Sequence, residues 1–126
     1  MKFARWVFYI AGAYGLISVA PLYFMEQTIS RQNPPAITHP MFFYGFVGVT
    51  LAWQLLFLAI GRYPVRLRPV IPFAVLEKLS FGISAMVLYS QGRLDHGDLW
   101  FGGIDLALAV LFVMVWLRLR DESLAA

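Results

Sequence analysis

The chain has 126 residues, of which 60% are hydrophobic, 17% aromatic and only 13% charged. A soluble domain of this size has too much surface to hide so large an apolar fraction, so the composition points to a single all-α domain, an integral membrane four-helix bundle. There is no cysteine, which removes disulfides, thiol nucleophiles and Cys-based metal sites, and the net charge of +3 comes from basic residues flanking apolar runs rather than from a nucleic-acid-binding patch.

In chain order, four nearly uncharged runs stand out: Trp6 to Met25, Met41 to Gly61, Val70 to Tyr89 and Leu99 to Leu117, of 20, 21, 20 and 19 residues. A bilayer core needs about 20 helical residues. The first run reads as a retained helix rather than a cleaved leader, because Pro21 follows Ser18-Val19-Ala20 directly and apolar sequence continues to Met25. Pro21 is expected to bend it. The connection from Glu26 to Pro40 is polar, and its Asn33-Pro34-Pro35 predicts extended structure. The other two connections, residues 62–69 and 90–98, carry Pro or Gly as breakers.

Four spans put both termini and the middle connection on one side. That side holds seven basic residues (Lys2, Arg5, Arg62, Arg66, Arg68, Arg118 and Arg120), against two, Arg31 and Arg93, on the other. The positive-inside rule then predicts cytoplasmic termini, and with them location in the cell inner membrane.

The third run carries Glu77 and Lys78 side by side. If both lay at the interface, only residues 79–92 would cross, about 21 Å of helix against roughly 30 Å of hydrocarbon. Both charges therefore belong inside the apolar slab, where each costs on the order of 3 kcal/mol near the centre. Lys78 is expected to snorkel along its stem to the cytoplasmic surface. Adjacent helical residues point about 100° apart, so Glu77 and Lys78 are not expected to neutralise one another. Ser80, Ser84 and Gln91 follow Glu77 on one stripe, which predicts that this face meets the bundle interior. Trp53 and Gln54 fall at the depth of Glu77, and Gln54 is its expected hydrogen-bond partner.

Asp105 in the fourth run is a second intramembrane acid, placed in the outer half with Ser18 and Tyr44 at similar depth. The helical rise puts it roughly 10–15 Å from Glu77, too far for a dyad but suited to the two ends of an elongated pocket. Small residues, Gly12 with Gly15, Gly45 with Gly48, and Gly103 with Ala107, offer faces for close helix contact. His39 and His96 fall outside the membrane near Asp95, Asp98 and Glu26, without a metal-ligand spacing, so they are weak candidates and no metal or other cofactor is specified.

These residues define a candidate ligand site of Glu77, Lys78, Gln54, Trp53, Ser80, Ser84, Asp105 and Tyr44 for an amphipathic lipid- or quinone-like molecule. The alternative is an intramembrane enzyme of isomerase or oxidoreductase type with Glu77 as acid or base and Asp105 as its electrostatic partner. The span count, the short loops and the segments "HPMFFYGFVGV" and "EKLSFG" resemble those of the DoxX-like small membrane proteins of bacteria. That resemblance implies partnership in membrane complexes linked to quinol or thiol oxidation. Expected partners are membrane lipid, a hydrophobic small molecule, and a membrane complex or a second copy of the chain, with no nucleic acid.

Overall fold

A computed structural model describes residues 2–125 of the chain, with side chains described for residues 2–120. The elements are α1 (Lys2–Val19), continued by a 3-10 segment (Ala20–Phe24), α2 (Glu26–Gln32), α3 (Pro40–Arg62), a 3-10 turn (Arg68–Val70), α4 (Ile71–Ser90) and α5 (His96–Ala125). The described residues form no strand. Four stretches, Lys2–Phe24, Pro40–Arg62, Arg68–Ser90 and His96–Arg120, are 23, 23, 23 and 25 residues long and apolar enough to cross a membrane. At 1.5 Å per residue each reaches about 35 Å or more, against a hydrocarbon core of about 30 Å.

Local chemistry explains most of the boundaries. Pro21 lacks an amide hydrogen and crowds the preceding turn, and α1 gives way to 3-10 geometry one residue earlier, at Ala20. Pro40 opens α3, where a missing N–H costs nothing. α4 closes with Gly92 at a φ of +71°, while the Arg93 amide donates to the Leu88 carbonyl at 2.8 Å, a Schellman-type ending that favours glycine. Residues 26–32 of the first connection form α2, and the helix stops before Asn33-Pro34-Pro35, the part expected to be non-helical. Glu26 lies in the first turn of α2 and Arg31 in the last, each on the favourable end of the helix dipole. α5 begins at His96, three residues before the apolar run, with Asp98 in its first turn.

The helices pack as two pairs. α1 lies along α3, α4 lies along α5, and the pairs meet mainly through α1 and α5, while α3 and α4 barely touch. Both pairs approach closely at glycine. A Cβ on Gly12 would sit 2.7 Å from Leu58 Cδ2 and 2.9 Å from the Gln54 carbonyl oxygen, and one on Gly82 would sit 2.6 Å from Leu106 Cδ2. Such seams let the backbones interlock where lipid offers no hydrophobic drive between helices. Three rings from three helices join the pairs: Phe8 and Phe112 stack with centroids 4.2 Å apart, and Phe57 meets Phe112 edge-on at 5.2 Å. All three are fully buried. Outside this core the helices expose large apolar side chains, with Phe24 91% and Ile17 76% exposed, which suits helices of membrane-spanning length.

Candidate functional site

The inward face of α4 consists of Ile71, Ala74, Lys78, Gly82 and Ala85, spaced three or four apart. Lys78 is thus part of the seam with α5. Its side chain is 3% exposed, and Nζ lies 3.5 Å from Asp105 Oδ1 and 3.7 Å from Glu77 Oε2. The ammonium also sits 5.0 Å from the centroid of the Phe57 ring on α3. A buried ammonium without partners would be prohibitive; two carboxylates and an aromatic face offset that cost. The Asp105 contact is a long hydrogen bond and the Glu77 contact an ion pair beyond hydrogen-bond length.

This geometry corrects three expectations. Lys78 does not snorkel, because its azimuth on α4 faces α5 rather than a flank from which the stem could escape. Glu77 and Lys78 do approach one another, because the long lysine stem bends across the helix surface. Asp105 is not at the far end of a pocket. With Gly82 packed on Leu106 of the antiparallel α5, it lies about six residues, or roughly 9 Å, above the Glu77 level, a gap the lysine stem bridges.

Glu77 is turned to another side. Between α3 and α4 runs an open groove of about 490 Å³, lined by Phe46, Thr50 and Trp53 on α3 and by Phe73, Glu77 and Phe81 on α4. That volume suits a small apolar ligand. Glu77 is the only ionisable residue lining it, and Ser80 adds a hydroxyl that already donates to the Glu77 carbonyl at 2.9 Å. Glu77 Oε2 is enclosed and lacks a hydrogen-bond partner. The residue therefore joins the ion cluster to the groove.

The remaining predicted residues disperse. Gln54 does not reach Glu77: it packs against Gly15 of α1, its Nε2 donates to the Thr50 carbonyl at 2.9 Å, and its Oε1 has no partner. The backbone gap left by Gly15 draws the amide toward α1. Ser80 and Ser84 are exposed, so the Glu77 stripe lies on the flank of α4 and not on its inward face. Tyr44 donates to Glu26 Oε2 at 2.8 Å and stacks on Tyr23, away from Asp105. His96 pairs with the Tyr89 hydroxyl at 2.9 Å and His39 meets the edge of Phe42. Among the described residues no three His, Asp or Glu side chains converge as a metal site. Of the small faces, Gly45 and Gly103 meet nothing, and Gly48 meets only the Tyr23 hydroxyl.

Sequence reading missed Phe57, Phe46, Thr50, Phe73 and Phe81. Their signal was present as two stripes, 46-50-53-57 and 73-77-81, at helical spacing around Trp53 and Glu77. No protein-family model, no curated protein and no solved structure matches the chain.

Proposed function

We propose that the chain is a multi-pass protein of the cell inner membrane, with both termini cytoplasmic, that holds an amphipathic lipid- or quinone-like molecule in the groove between α3 and α4. Four membrane-length helices and the seven-to-two division of basic residues support the placement. The observation that carries the binding role is Glu77, a lone carboxylate in an otherwise apolar and aromatic groove that is open on the side of the bundle. The apolar body lies along the rings, and the polar head meets Glu77. Catalysis has less support, since Asp105 is engaged by Lys78 and does not line the groove, which leaves Glu77 without a second converging acid or base. The DoxX-like resemblance bears on partners only: it makes an accessory place in a membrane complex the working assignment.

Mass spectrometry of lipophiles that co-purify with the protein tests this reading. A stoichiometric amphipathic molecule is expected with the wild type and is expected to be lost in Val49→Trp, which fills the groove from an exposed position. Equal retention by a folded Val49→Trp protein would exclude the groove as its site.

A further inference from the structure

We infer that the head group selected by the α3–α4 groove is cationic, an amine or quaternary ammonium on an apolar body. This deepens the binding role proposed above and rests on it. The first support is charge. Glu77, Lys78 and Asp105 place two carboxyls against one ammonium, so the fully ionised cluster is one positive charge short of neutrality. Lys78 lies nearer to Asp105, at 3.5 Å, than to Glu77, at 3.7 Å. One ammonium is thus shared between two carboxyls, and of the two it is Glu77 that lines the groove. A charge left unbalanced in apolar surroundings is costly, and a ligand cation beside Glu77 completes a two-plus-two arrangement.

The second support is the wall chemistry. Phe46, Trp53, Phe73 and Phe81 line the same groove as Glu77, and aromatic faces attract cations through their quadrupoles. The protein already uses that pairing on its own cations, with Lys78 over Phe57 and the Arg68 guanidinium 4.4 Å over Trp116. An anionic head would meet Glu77 with repulsion, and a neutral one would bring no charge to the cluster.

The test uses the protein in nanodiscs of zwitterionic lipid, titrated separately with tetraphenylphosphonium, neutral triphenylphosphine oxide and anionic tetraphenylborate. Trp53 fluorescence reports occupancy against a Trp53→Phe control, and Val49→Trp gives the baseline for partition into lipid. The cation is expected to bind saturably, the neutral probe about tenfold more weakly, and the anion at baseline. Glu77→Gln is expected to weaken the cation about tenfold, with Glu77→Asp restoring most of the affinity. Equal, Val49→Trp-sensitive binding of the cation and the neutral probe would overturn cation selection while leaving the groove as a site. Baseline behaviour of all three probes would overturn both readings. If Glu77→Gln fails to fold, the three-probe comparison on the wild type still decides.

Discussion

In the α1–α3 pair, Gly12 and Gly15 admit the neighbouring helix and the buried polar group is Gln54, a neutral amide bonded within its own helix. In the α4–α5 pair, Gly82 and Gly102 do the same work, but the buried polar groups are Lys78 and Asp105, charges from facing helices that need one another. Gln54 can be replaced without leaving a partner behind, whereas neither Lys78 nor Asp105 can. A seam that depends on an ion pair has its geometry fixed by that pair. Glu77, next to Lys78 in sequence, is thereby held at the edge of the gap that α3 and α4 do not close.

The sharpest way to break this contrast is Lys78→Met. It leaves two carboxyls without their cation, and a loss of about 3–5 kcal/mol is expected in reversible unfolding measured in detergent or bicelles. The companion double variant Lys78→Met with Asp105→Leu is expected to recover more than half of that loss, since both buried charges of the seam are then gone. Additive losses would mean that the two residues do not pair. Gly15→Val is expected to come next, at about 1–3 kcal/mol, because its first side-chain atom already collides with the Gln54 amide. Gln54→Leu should change stability by less than about 1 kcal/mol, as it removes an unpaired buried acceptor together with one local bond. Smallest is Ser84→Ala, within about 0.5 kcal/mol and with no effect on ligand retention, since Ser84 is exposed and lines no groove.

The sequence made the helices legible because a run of about 20 apolar residues has few other uses, and because Pro and Gly punctuate the ends. It also singled out Glu77 and Asp105, since a carboxyl inside such a run is conspicuous at any azimuth. Facing directions were harder. The sequence pattern points Lys78 to the surface and Ser80 and Ser84 to the interior, and the structure exchanges them. A helical stripe shows which residues share a face, but the neighbour that face meets depends on how the pairs assemble, and α4 turns its glycine and alanine side to α5. The pairing of Asp105 with Lys78 was not legible, because the helical rise shows the spacing of the two acids but not that a lysine stem bridges it. Gln54 faces α1 and not Glu77, drawn there by the space at Gly15, and the sequence spacing alone does not show which side of α3 meets which neighbour.

The central claim is that Lys78 belongs to the seam and Glu77 to the groove. It is tested most directly by measuring stability and ligand retention together on Glu77→Gln. The expected result is a stability change smaller than that of Lys78→Met, because Asp105 still holds the ammonium, with at least about tenfold weaker retention of the groove ligand. A large loss of stability with retention unchanged would contradict the account and make Glu77 a packing residue of the α4–α5 pair.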